Sequence, residues 1–187
     1  MQYMDELKQT TLRWAPLRPG LSDHELRAGD TPIGALSWSP DENTAYAELG
    51  GQCWVFCREQ QQVQITMAGR RPCGTFVFGW EGGVLYLANG ATFHWGCNPR
   101  LGRSEWVENG LLLRAQYALQ ASGATGQAEL APGAAAMAFT PLLVVLDRYL
   151  MHELLPEHTP VQRAAPARAL RQPLARGAVA HQGAPGQ

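Results

Sequence analysis

Between Leu12 and Pro132, apolar and polar residues alternate in short runs, and Gly, Pro, Asn and Asp separate one run from the next. A period of two marks a strand with one dry face, and about a dozen short strands in series suit a sandwich or barrel better than α/β units. The clearest stretch is GTFVFGWEGGVLYLANGATFHWG, residues 74–96. Phe76, Phe78 and Trp80 fall on one face of its first strand, and Glu81, Gly82 and Gly83 are predicted to turn the chain. Asn89-Gly90 then marks a tight hairpin. A two-residue loop would split Leu85 and Leu87 from Phe93 and Trp95. A three-residue loop, Ala88-Asn89-Gly90 with Gly90 left-handed, puts all four on one face and turns Tyr86, Thr92 and His94 outward. One residue of slip exchanges the faces of a strand, so burial selects the second register. In GLLLRAQYAL, residues 110–119, Leu111, Leu113, Ala115, Tyr117 and Leu119 share an apolar face opposite Arg114 and Gln116. In CWVFCRE, residues 53–59, Trp54 and Phe56 face away from Cys53, Val55 and Cys57.

The pattern changes at TPLLVVLDRYLMHELLP, residues 140–156. Thr140 suits an N-cap and Pro141 the first helical position. Leu142 to Leu146 cover every direction around the axis, and a helix apolar all round is buried all round. From Asp147 onward, Tyr149, Leu150 and Leu154 recur beside Arg148, His152 and Glu153, so the second half is predicted to emerge into solvent. Some 15 residues at about 1.5 Å each give roughly 23 Å, enough to run through a small closed sheet. A helix lying across one sheet would show a polar stripe from its first residue. A membrane anchor would need about 20 apolar residues. The predicted fold is therefore mainly β: a closed antiparallel β-barrel of about twelve strands around a C-terminal apolar helix.

Several segments carry a resemblance. They are LRWAPLRP (12–19), HELRAGDTPIGALSW (24–38), AELGGQCWVFCRE (47–59), FVFGWEGGVLYLANGATFHW (76–95), EWVENGLLL (105–113) and TPLLVVLDRYL (140–150). Together they resemble the tubby C-terminal, phospholipid scramblase and LURP-one superfamily, and most of all its small bacterial members. The resemblance covers residues 12 to about 155 and rests on aromatic and glycine-rich core patterns. It implies the barrel-around-a-helix fold and, from the eukaryotic families, binding of phosphoinositides or other membrane lipids.

Length and composition refine this picture. The chain of 187 residues reads as a lead-in (1–11), one barrel domain (12–155, helix about 140–155) and a Pro/Ala/Arg-rich tail (156–187) with no packing period, expected to be disordered. A net charge of -1 argues against a nucleic-acid binder, which carries an excess of Lys and Arg. The start MQYMDELKQTTLRW lacks the basic-then-apolar order of a secretory signal, so a cytoplasmic protein is expected, peripheral to the inner face of the membrane if it meets lipid. Cys53, Cys57, Cys73 and Cys97 form no CxxC pair and are expected to stay reduced. An extended strand would hold Cys53 and Cys57 about 13 Å apart, too far for a disulfide.

Candidate chemistry is sparse. There is no Walker loop, dinucleotide fingerprint, HExxH or G-x-S-x-G. His94 and Cys97 could supply a zinc site together with Cys73 or Cys53, but the spacing is irregular and the expected metal and cofactor complement is none. No nucleophile has an evident base, so no catalytic residue is assigned. Arginine is the one group with a functional reading. Arg70 and Arg71 precede Pro72, and Arg100 and Arg103 follow Trp95. If these two loops share a barrel end, they form a patch for phosphate or lipid headgroups. The expected role is a non-enzymatic binding or scaffold module contacting anionic lipid or a protein partner. The alternative is a small-molecule carrier or enzyme with a pocket at one barrel end.

Overall fold

The computed structural model describes residues 11–17, 23–39, 43–67, 71–118 and 125–154. Twelve strands run β1 (Thr11–Pro16), β2 (His24–Ala28), β3 (Thr31–Ser39), β4 (Thr44–Leu49), β5 (Gln52–Glu59) and β6 (Gln62–Met67). They continue with β7 (Arg71–Phe78), β8 (Gly82–Leu87), β9 (Thr92–Asn98), β10 (Arg103–Val107), β11 (Leu111–Tyr117) and β12 (Gly126–Leu130). Each strand pairs antiparallel with the next, and β1 pairs with β12 to close the barrel. Closure leaves no sheet edge. Among the described residues, one α-helix, α1 (Thr140–Leu154), follows the last strand.

Alternation along the strands decides what fills the barrel. Leu12, Trp14, Leu26, Leu36, Trp54, Phe56, Phe76, Phe93, Trp95 and Trp106 all point inward and are buried, and α1 packs among them. The β8–β9 hairpin adopts the three-residue loop. Gly90 has φ +89, the Leu87 N–H donates to the Ala91 carbonyl at 2.9 Å, and Leu85 pairs with Phe93. Leu85, Phe93 and Trp95 are accordingly buried, while Tyr86 and His94 are exposed. Trp54 and Phe56 point inward as the alternation requires.

Four local expectations fail, each for a physical reason. A bulge in the β10–β11 pairing shifts the register after Trp106, so Leu112 and Leu113 are both buried and Leu111 is exposed. Gly82 and Gly83 belong to strand β8 instead of the turn, pairing with Gly96 and Trp95 of β9 and lying so close to Phe76 that a Cβ at Gly83 would fall 2.2 Å from its Cζ. Trp80 is thereby left at the tip of the β7–β8 connection, 98% exposed. At the start of α1, the Leu143 N–H already donates to the Phe139 carbonyl, so Phe139 and not Thr140 precedes the helix. The Thr140 hydroxyl donates to the Ala134 carbonyl at 2.5 Å.

The fourth correction is the largest. Every residue of α1 from Thr140 to His152 is buried, so the helix stays enclosed well beyond Leu146. Asp147 and Arg148, both 0% exposed, sit inside the barrel. Burying bare charges is costly, and it is tolerated only where each is paired or hydrogen-bonded.

Candidate functional site

A meander reverses direction at each turn, so odd-numbered connections gather at one barrel end and even-numbered ones at the other. Helix α1 follows β12 and therefore enters at the even end and leaves at the odd end. Arg71 opens β7 at the even end, whereas Arg100 and Arg103 flank the β9–β10 connection at the odd end. The two arginine groups are not brought together. Arg70 lies outside the described residues, as do Asp41, Glu42, Leu119, His158, His181 and the tail.

At the odd end, a cleft of about 1090 Å³ lies between the β7–β8 and β9–β10 connections and the last residue of α1. Trp80, Glu81, Arg100, Arg103, Arg114 and Leu154 line it. The β9–β10 connection is a short 3-10 turn, Pro99–Leu101, set by Asn98, whose side chain accepts from the Leu101 N–H at 3.3 Å. Gly102 ends it in the left-handed region at φ +63. Arg103 is held against the wall: its Nε donates to Gln116 Oε1 at 2.7 Å, and Gln116 Nε2 donates to the Leu101 carbonyl at 2.7 Å. Arg114 and Glu105 approach to 3.9 Å, an exposed pair of small energetic consequence. Arg100 projects from the turn and is exposed.

The Cys97 thiol on the cleft is poorly activated. Burial, with Asp147 adding to it, pushes the Cys97 thiol up to about 11, away from the reactive thiolate. The Ser104 hydroxyl donates to Asp147 Oδ2 at 3.0 Å. Cys53 and His94 are exposed, whereas Cys73 and Cys97 are partly buried. Among the described residues, no three His, Cys, Asp or Glu side chains come together to hold a metal ion. At the even end a small apolar pocket of about 160 Å³ lies beside Trp54, Leu87, Phe139 and Leu142.

Behind the cleft lies a polar network that the sequence reading missed. Asp147 accepts from Trp95 Nε1 at 2.8 Å, Ser104 Oγ at 3.0 Å and Tyr117 OH at 2.5 Å, one donor from each of β9, β10 and β11. Gly126 makes the Tyr117 position possible, since a Cβ there would lie 2.3 Å from the Tyr117 ring. Burial raises the Asp147 carboxyl above its usual range, and hydrogen bonding, from Tyr117 foremost, pulls it partly back. Burial lowers Arg148, with Tyr117 and Asp147 opposing the shift. The Arg148 guanidinium lies over the Tyr117 ring of β11 at 5.2 Å, and its Nη2 meets His24 Nε2 at 2.6 Å on β2, three strands further round the wall. The His24 ring stands edge-on to Trp38, centroids 5.6 Å apart, and Trp38 stacks on His152 at 4.0 Å. One turn further on, Glu153 is ion-paired to Arg58, whose guanidinium covers the Phe78 ring at 4.9 Å.

Helix α1 is thus held by adjacent residues to two separate stretches of the wall, β9–β11 and β2, which fixes both its rotation and its depth. Part of this was within reach of the sequence, because His24 alternates with Leu26 and Ala28 on one face. No helix among the described residues is long and apolar enough to cross a membrane. No family model, curated protein or solved structure matches the chain.

Proposed function

We propose that this protein is a non-enzymatic binding module, of the tubby- and scramblase-like kind, that receives an anionic lipid headgroup in the cleft where α1 leaves the barrel. The observation that carries the reading is Trp80. An indole 98% exposed at a loop tip is unusual for a core-forming residue, and it shares one cleft with Arg100 and Arg103. Tryptophan favours surroundings that are apolar on one side and wet on the other, and arginine presents a planar fork to phosphate. The twelve-strand barrel around a central helix supports the tubby-like reading. The raised Cys97 thiol favours binding over nucleophilic chemistry at that residue. On this reading the protein works in the cytoplasm, at the inner face of a membrane.

Co-sedimentation with phosphatidylcholine vesicles, with and without phosphatidylserine or a phosphoinositide, tests it. Binding should require the anionic lipid, weaken with salt, and fall at least tenfold in Arg100→Ala/Arg103→Ala. Binding that ignores lipid charge, or survives both substitutions, defeats the proposal. The size of the cleft favours a second reading, a small-molecule carrier. A ligand retained in native mass spectrometry and lost on Trp80→Ala would support that reading instead.

A further inference from the structure

Among the described residues, the exposed large apolar side chains are unevenly placed. Tyr46, Val77 and Tyr86 lie on the outer wall, within strands, and Leu111 and Met137 belong to the even end. Trp80, Leu101 and Leu17 stand in connections at the odd end, 98%, 53% and 50% exposed. A single exposed apolar residue needs no explanation. Trp80 and Leu101, however, belong to the two connections that bound the cleft, and Leu17 is four strands further round the same rim.

Both tips beside the cleft are rigidly presented. The Leu101 N–H donates to Asn98 Oδ1 at 3.3 Å, and the Leu101 carbonyl accepts from Gln116 Nε2 at 2.7 Å. The Gly102 N–H closes the turn on the Pro99 carbonyl at 3.1 Å, and the Tyr117 N–H donates to the Gly102 carbonyl at 2.7 Å, tying the turn to β11. Across the cleft, the Gly79 N–H donates to the Gly82 carbonyl at 2.9 Å, which confines the β7–β8 connection to Trp80 and Glu81. Folding thus holds an indole and a leucine in water and forgoes the gain their burial would bring.

The surrounding charge indicates what covers them. Arg100 and Arg103 bracket Leu101 in sequence, and with Arg114 they set three cations on the cleft against Glu81 and Glu105. A bilayer containing anionic lipid offers both partners at once: phosphates for the guanidinium groups, and apolar chains at the headgroup–acyl boundary, about 5–10 Å deep. Tryptophan is enriched at that boundary. We propose that Trp80 and Leu101 are paired wedges that enter the headgroup–acyl boundary of an anionic bilayer and seat the barrel odd end down. This seating rests on the cleft being a headgroup site, and it makes the intact bilayer, rather than a free headgroup, the partner.

Fluorescence quenching by vesicles tests the wedges on the full chain. Phosphatidylcholine vesicles containing phosphatidylserine are prepared with acyl chains brominated near the headgroup or near the methyl end. Subtracting the emission of Trp80→Phe, which keeps an aromatic ring at the tip, isolates Trp80 from the rest of the six tryptophans. The shallow bromines should quench Trp80 much more than the deep ones. In co-sedimentation, Leu101→Ser should weaken binding about three- to tenfold, the effect of losing the burial of a half-exposed leucine, and Leu101→Phe should retain it. Absence of binding to anionic vesicles overturns the wedges together with the headgroup reading of the cleft. Charge-dependent binding that leaves Trp80 unquenched, or that Leu101→Ser does not weaken, overturns the wedges alone.

Discussion

Replacing Tyr117 by Phe isolates one bond of the buried network. The ring keeps its volume, its place against Gly126 and its face beneath Arg148, and only the hydroxyl that donates to Asp147 Oδ2 at 2.5 Å is lost. A hydrogen bond to a charged acceptor is worth about 1.5–3 kcal/mol, so a loss of about 2 kcal/mol is expected. For a domain of this size, that lowers Tm by about 4–8 °C. The pH dependence sharpens the test. Burial raises the Asp147 carboxyl above its unfolded value, and the Tyr117 bond opposes that rise. A carboxyl raised by folding holds its proton more tightly in the native state. Its contribution is therefore least favourable above the folded value and recovers as pH falls through it. Without Tyr117 the carboxyl rises further, so the deficit of Tyr117→Phe relative to wild type should shrink between pH 7.5 and 4.5 in urea titrations. A Tm shift under about 1 °C, or a deficit that grows in acid, would refute the picture of Asp147 as a buried ionised acceptor.

In Gly126→Ala the new Cβ presses on the Tyr117 ring at 2.3 Å, which should cost about 1–3 kcal/mol by overpacking. Combined with Tyr117→Phe it should cost less than the sum, as a double-mutant cycle in denaturant would register. Trp80→Ala should leave Tm within about 2 °C, because so exposed a side chain contributes under about 0.5 kcal/mol, yet should weaken vesicle binding in co-sedimentation. Arg71→Ala, at the opposite barrel end, should leave that binding unchanged while Arg100→Ala weakens it. Iodoacetamide at pH 8 should label exposed Cys53 well before Cys97, read by peptide mass spectrometry, because burial keeps Cys97 a thiol.

The barrel could be read from the sequence because each strand states its own orientation: Trp54 and Phe56 against Val55, or Leu85, Phe93 and Trp95 around a three-residue loop. The apolar half of α1 was equally plain. The second half was not, because local sequence cannot distinguish a charge facing water from one facing a distant donor. Asp147 is satisfied by Trp95, Ser104 and Tyr117, which only the closed sheet brings together. His24 and His152 look scattered in the chain and meet across Trp38 for the same reason. The arginine patch failed on parity. Arg71 follows the sixth connection and Arg100 belongs to the ninth, so a strand count would have put them at opposite ends. Trp80 kept the alternation of Phe76 and Phe78 in sequence, but the strand ended before it.

The seam between the first and last strands constrains how this protein can be made. Thr11 pairs with Glu129, and the helix that fills the interior is encoded after both. A ribosome therefore releases a complete set of staves before the plug that keeps them dry. Contacts so distant in sequence make for slow closure. A chain stopped after Leu130 should collect as insoluble material, and adding residues 131–154 as a separate peptide during refolding should rescue it.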